Sequence, residues 1–306
     1  MTAHRVLALV GPTASGKSAL ALRLASLLPI EIVSCDSLMV YIGMDIGTGK
    51  PTVAEQRSVP HHVLDVVAPN EPFHAARWAQ LARAAIRDIA GRGKLPMIVG
   101  GTGLYLRALL GGLFEAPPPD EAIRQRHRDE ATRDGSPALH ARLAALDPET
   151  AARVDPRDLM RISRALEIFE QTGEPISVLQ KRGSPAGDVV CQTIVLAPPL
   201  ERLRPAIAAR FDSMLAAGLV DETRRLRDTF GADPRPLQAL GYRQVGDFLA
   251  GVLPLDAAVV AAKAATAAYA RRQRTFFRKL PAAWRPEEVP EPAAVLAWWQ
   301  AQAATS

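Results

Sequence analysis

Residues 11–18, Gly-Pro-Thr-Ala-Ser-Gly-Lys-Ser, satisfy the spacing G-x-x-x-x-G-K-[ST] and stand between an apolar run at 5–10 and a stretch of helical spacing at 18–28. A loop of this composition between a buried strand and a helix restricts the chain to folds that present a helix N-terminus to an anion. Gly11, Pro12, Thr13, Ala14, Ser15, Gly16, Lys17 and Ser18 are therefore expected to bind a di- or triphosphate. The glycines let backbone N–H groups turn inward, Lys17 supplies a point charge, and the Ser18 hydroxyl can ligate Mg²⁺. The owner of the phosphate stays open at this point, because ATP, GTP and an activated diphosphate ester present the same oxygens. The loop could serve phosphoryl transfer or hold a diphosphate leaving group.

Downstream, residues 31–35 read as a second strand, 73–90 as a helix and 95–99 as another buried strand closed by Gly100-Gly101-Thr102-Gly103. Strands alternating with helices imply a parallel sheet with right-handed crossovers. Ligands in such sheets bind beyond the carboxyl ends of the strands, where the Gly11 loop, Asp36-Ser37 and the Gly100 turn all fall. The alternation stops near Ala116-Pro117-Pro118-Pro119, and helical patterning runs to Gly183-Ser184-Pro185-Ala186-Gly187. Within it, Asp155 is expected to cap a helix with Pro156 at its first position and Gly173 to end it. Residues 189–196 return as a strand and helices follow, with 290–306 read as a peripheral tail. The fold expected is α/β: a P-loop NTPase-like parallel sheet flanked by helices (1–117 and 187–306) with an inserted all-helical domain (118–186).

No apolar run approaches the roughly 20 residues that span a bilayer, so the expectation is a cytoplasmic protein without membrane contact. Cys35 and Cys191 lack metal-type spacing and read as reduced thiols. The formal charge of +5 is localised: residues 257–285 hold seven basic side chains and no acidic one, leaving the remainder slightly acidic. A local basic segment suggests a docking surface for a polyanion.

Asp36, at a strand end facing the phosphate loop, is a candidate general base, with a turn cap or an outer Mg²⁺ contact as the alternative. Thr102 is either a hydroxyl donor or a turn former. His61 and His62 are adjacent on an extended segment and point to opposite faces, which favours hydrogen bonding over shared metal ligation. In 269–278, Arg271, Arg274 and Arg278 align on one helical stripe while Phe277 and Leu280 anchor another. Basic and aromatic residues together favour RNA binding.

The chain closely resembles the bacterial tRNA dimethylallyltransferases, also called tRNA isopentenyltransferases. The resemblance is carried by the loop, by 36–41 (Asp-Ser-Leu-Met-Val-Tyr), 43–51, 61–65 (His-His-Val-Leu-Asp) and 100–105, and then by 161–167, 240–243 and the basic segment ending at Arg278. It implies transfer of a dimethylallyl group from its diphosphate to N6 of the adenosine 3′ of the anticodon, with Mg²⁺ and release of pyrophosphate. By the same resemblance Asp36 acts as base, Thr102 orients the amine or diphosphate, and Arg210 steadies the leaving group. Contacts to the anticodon stem-loop carried over are Asp36, Ser37, Leu38, Met39, Thr102, Arg124, Met160, Arg161, Ile162, Ser163, Arg164, Gln238, Ala239, Leu240, Gly241, Tyr242, Arg243, Arg271, Arg272, Gln273, Arg274, Thr275, Phe276, Phe277 and Arg278. The chain departs from the common family pattern at Met39, Met160, Gly49, Ala267 and Phe276. A monomer is expected. The alternative is a P-loop small-molecule or nucleotide kinase, indifferent to RNA; an inactive RNA-binding module would leave the loop without purpose.

Overall fold

The computed structural model describes residues 3–111, 116–182 and 188–304. The chain divides into two compact units, Met1–Leu110 with Asp188–Ser306, and Gly111–Gly187. The stretch 183–187, read from the sequence as the end of the insertion, lies outside the described residues.

In the first unit, β1 (His4–Val10), the phosphate loop and α1 (Lys17–Leu24) follow one another, then β2 (Ile30–Cys35), α2 (Val53–Ser58), β3 (His61–His62), α3 (Ala75–Gly91), β4 (Leu95–Gly100) and α4 (Gly103–Leu109). The sheet is all-parallel in the order β3-β2-β4-β1-β5, with β5 at Val189–Val195. Alternation along the strands gives each face its own core. Leu7, Leu9, Ile30, Ile32, Met97, Val99 and Ile194 face one way, against Leu20 and Leu24 of α1. On α3, Trp78, Ala82, Ile86 and Ile89 are buried, and α3 packs on β1, β2 and β4. The Trp78 indole donates to Ser34 O at 2.8 Å and stacks on Tyr105 at 5.0 Å.

The register sets up the site. Val10 pairs with Gly100, and Gly100 pairs with Cys35, so three strand ends are level and the segments after them emerge side by side.

The second unit holds α5 (Glu121–Asp134), α6 (Ser136–Leu146), α7 (Pro148–Ala151), α8 (Leu159–Thr172) and α9 (Ile176–Arg182), around Leu139, Leu143, Ile162 and Leu166. Gly173 ends α8 at φ 72° as the sequence predicts, but Asp158, not Asp155, caps its start, accepting from Arg161 N at 3.2 Å. Asp155 instead accepts from Arg157 N, two residues on, an Asx turn that uses its side chain before the helix begins. Glu167, with a fully buried side chain, receives Asp120 N, Arg124 and Arg164. Burial opposes its ionisation, and these hydrogen bonds outweigh that and hold its carboxyl below the usual range.

After β5 come α10 (Leu200–Ala216), α11 (Leu219–Phe230), a short 3₁₀ turn (Arg235–Gln238), α12 (Tyr242–Leu249), α13 (Leu255–Lys279) and α14 (Pro292–Ala304). The segment read as a peripheral tail is a core helix. Val295 and Trp299 of α14 join the cluster beneath α1. Its alanine-rich composition concealed two apolar anchors one helical turn apart. Ala283 N and Trp284 N both reach Thr193 O, and Val195 N reaches Trp284 O, closing the open side of β5.

Candidate active site

Gly16 adopts φ 84° as the cap of α1, and Ala14 φ 60°. With these two left-handed residues the loop folds over its own lysine, and Lys17 Nζ donates to Pro12 O and Ser15 Oγ. Lys17 is buried, and burial together with the neighbouring Arg210 lowers its pKa to about 7, with Asp36 acting in the opposite sense. Ser18 is exposed on the first turn of α1 and lines the same cavity.

Asp36 Oδ1 accepts from Leu38 N at 2.9 Å and Met39 N at 3.4 Å, so the capping expectation describes one oxygen of this carboxylate. Thr102 Oγ1 accepts from Ser37 N at 3.1 Å, and Thr102 N reaches Cys35 O. The glycine turn and the Asp36 turn are thereby stitched together. Cys35 is buried, which pushes its thiol pKa far up, and both cysteines are free.

A cavity of about 510 Å³ opens on these loops. Thr13, Lys17, Ser18, Asp36, Ser37, Leu38, Met39, Arg210, Gln238, Ala239, Leu240, Gly241, Arg243, Arg272 and Gln273 all line it. From α10, Ile207, Arg210, Phe211 and Met214 face it together, since positions i, i+3, i+4 and i+7 share one helical stripe. Burial depresses the Arg210 pKa while Asp36 opposes the shift. Its Nη2 donates to Thr48 O at 3.0 Å. Beneath it lies Gly49, at φ 63°, where a Cβ would sit 2.1 Å from that nitrogen. Tyr269 also lines the cavity; burial, with Asp36 nearby, pushes its hydroxyl up to about 12.

The remaining residues expected to act on RNA divide sharply. Arg271, Arg272, Thr275 and Arg278 are exposed on α13, and among the described residues none of these arginines is ion-paired. Arg272 lies 5.6 Å from the Tyr269 ring. Arg274 is half-buried, and its Nε has no hydrogen-bond partner among the described residues. Phe277 and Tyr242 are enclosed, the latter donating to Glu222 at 2.6 Å. In the second unit, Met160 and Arg161 are exposed, whereas Ile162 is core and Ser163 Oγ is bonded to His127 at 2.9 Å. Side-chain contact with RNA therefore does not fit Ile162, Tyr242 or Phe277, because each fills its own unit's interior. The histidine pair takes separate partners: His61 meets Val59 O, and His62 meets Glu31 at 2.7 Å. No group of three or more His, Cys, Asp or Glu side chains able to hold a metal occurs among the described residues.

Sequence reasoning missed Glu222. Buried on α11, it accepts from Asp45 N, Ile46 N and Gly47 N at 2.8–3.1 Å, and so shapes the loop whose Thr48 and Gly49 carry Arg210. The signal was present, because Leu219, Glu222, Thr223 and Leu226 share a helical face on which an acid is out of place. Lys50 likewise ties this loop to Asp45, Asp65 and Tyr41 O.

Comparison with known proteins places these features in company. The IPP transferase family matches residues 39–280 and the isopentenyl transferase family residues 4–66. A tRNA dimethylallyltransferase of Anaeromyxobacter sp. (strain Fw109-5) is 48% identical over 276 residues, covering 90% of this chain and 92% of that protein. One of Azoarcus sp. (strain BH72) is 47% identical, covering 91% and 88%. Among solved structures, the tRNA isopentenylpyrophosphate transferase of Bacillus halodurans superposes with a TM-score of 0.70 at 36% identity, over 98% of this chain and 96% of that one. A eukaryotic dimethylallyltransferase acting on tRNA gives 0.72 at 27% identity, over 88% and 69%.

Proposed function

The chain belongs to the IPP transferase family, and on that premise we propose that it transfers the dimethylallyl group of dimethylallyl diphosphate to N6 of the adenosine 3′-adjacent to the anticodon of tRNA. The observation that carries this reading is the composition of one cavity: a buried Lys17 and a half-buried Arg210 beside Asp36 and an apolar stripe of Ile207, Phe211 and Met214. Cations suit a diphosphate in any such protein. The apolar stripe beside them suits an allylic chain.

In the reaction, N6 attacks C1 of the dimethylallyl group, the C1–O bond breaks, and pyrophosphate leaves. Lys17 and Arg210 take up the charge that grows on the leaving oxygens, an interaction stronger in the transition state than in the bound donor. Asp36 receives the N6 proton; with Oδ1 engaged by Leu38 N and Met39 N, its carboxylate is held in one orientation. Thr102, bonded to Ser37 N, fixes the turn beside it. The donor set fits a magnesium ion: the Ser18 hydroxyl, exposed on the first turn of α1 and lining the cavity, would hold it together with the substrate's own phosphate oxygens. When bound, it neutralises diphosphate charge. Enclosure keeps water from the allylic carbon, and the adenine must leave its stack to enter. The exposed cations of α13 meet the anticodon stem-loop, and Arg124, Met160, Arg161 and Arg164 of the helical unit add contacts.

Purified protein, Mg²⁺, labelled dimethylallyl diphosphate and unmodified tRNA with adenosine 3′ of the anticodon should yield label in the RNA. Asp36→Ala should lower that rate by roughly 10²–10⁴-fold while retaining pyrophosphate binding. No label from wild type, with ATP consumed on a small acceptor, would instead establish a kinase.

A further inference from the structure

Gln273 lies on the basic helix between Arg272 and Arg274, yet its side chain points away from solvent, with 7% exposure. Its Oε1 accepts from Thr13 N at 3.0 Å and its Nε2 donates to Gly101 O at 2.9 Å. Only this orientation of the amide satisfies both partners, because one is a donor and the other an acceptor. Thr13 belongs to the phosphate loop and Gly101 to the glycine turn, so one side chain from residue 273 bolts together two loops that lie far N-terminal to it in sequence. The Thr13 N–H, which the loop spacing assigns to phosphate, is spoken for within the protein.

The helix touches the glycine turn a second time. A Cβ on Gly101 would lie 2.4 Å from Gln273 Nε2, and one on Gly103 would lie 2.0 Å from the Phe276 ring. Positions 273 and 276 are i and i+3, neighbours on one face. Thr102 is thus flanked on both sides by glycines that exist to let α13 approach. The same helix shows Arg271, Arg272 and Arg278 to solvent. A polyanion held by Arg271 and Arg278 acts on a helix whose opposite face holds the phosphate loop and the turn that positions Asp36.

Resting on the transferase reading above, we infer that Gln273 is a positioning residue rather than an RNA contact: it locks the phosphate loop to the glycine turn and couples RNA engagement by α13 to diphosphate binding. Coupling of this kind is reciprocal, so RNA tightens diphosphate binding by the factor by which diphosphate tightens RNA binding.

The test titrates pyrophosphate with Mg²⁺ into wild type, Gln273→Leu and Gln273→Asn, with and without saturating unmodified anticodon stem-loop RNA, and measures stem-loop affinity and melting temperature alongside. Asparagine keeps the amide but is one methylene too short to span both partners. In wild type, RNA should tighten pyrophosphate binding. Loss of a bridge to two buried backbone groups should weaken pyrophosphate binding by about tenfold in either variant, abolish the RNA-dependent gain, and leave stem-loop affinity within about twofold. Should leucine prevent folding, asparagine carries the same prediction. Loss of stem-loop affinity with pyrophosphate binding intact would make Gln273 an RNA contact and overturn the inference. A lowered melting temperature with both affinities unchanged would overturn it as well, as would a wild type whose pyrophosphate affinity ignores RNA. Selective loss of pyrophosphate binding in a protein that transfers no prenyl group would leave the positioning role standing and remove the transferase reading instead.

Discussion

At the scale of single residues the site is governed by two basic groups placed close together, Lys17 buried and Arg210 half-buried. Lys17 has its pKa drawn down to about 7 by burial and by Arg210, whereas an unfolded chain holds lysine near 10.5. Between these values the unfolded chain binds the extra proton, so Lys17 works against folding at neutral pH and stability from this group rises as pH climbs through that window. An anion bound in the loop favours the charged lysine and raises its pKa again. Pyrophosphate binding at pH 8.5 should therefore take up protons, and affinity should fall as pH rises above about 7. Calorimetry in buffers of different ionisation enthalpy should show uptake in wild type and lose it in Lys17→Met. The residues of this centre were legible in the sequence because glycine spacing, a lysine and a strand-end aspartate are local signals. Arg210, more than a hundred residues from the loop, came only from the resemblance. Glu222 went unread although an acid on an apolar helical face was a signal, and the inward role of Gln273 went unread because its backbone partners, at Thr13 and Gly101, are distant in sequence.

At the scale of elements, the four strands read at 5–10, 31–35, 95–99 and 189–196 match to within one residue at each end and the helix read at 73–90 to within two, whereas α1, read to 28, stops at Leu24. Asp158 displaces Asp155 as a helix cap because the earlier aspartate closes a turn on Arg157. The α14 segment was read as a tail because alanine and proline dominate it, yet Val295 is fully buried and Trp299 nearly so. The Trp299 ring also faces the Arg5 guanidinium at 4.8 Å. Trp299→Ala should destabilise the protein by about 3 kcal/mol through loss of buried area and the space left behind. Urea denaturation followed by circular dichroism should show a lower midpoint; an unchanged one would return α14 to the periphery.

At the scale of the whole molecule, fold class was legible because strand and helix periods alternate in order, and RNA affinity was legible as a basic segment on a slightly acidic body. Which faces those charges occupy was not, and α13 turned out to divide its residues between solvent and the phosphate loop and glycine turn. Affinity for tRNA should depend steeply on salt. Replacing both Arg271 and Arg278 by alanine should reduce the slope of log K against log salt by roughly 0.7–0.9 for each phosphate contact removed, measurable by fluorescence anisotropy, without altering pyrophosphate affinity. The strand order has a further consequence for synthesis of the chain. The first strand made, β1, lies between β4 and β5, and its core is completed by Val295 and Trp299. At about 5–20 residues per second, roughly 10–40 s separate emergence of β4 from that of α14. For that interval a nascent chain carries apolar sheet surface that α14 has yet to cover.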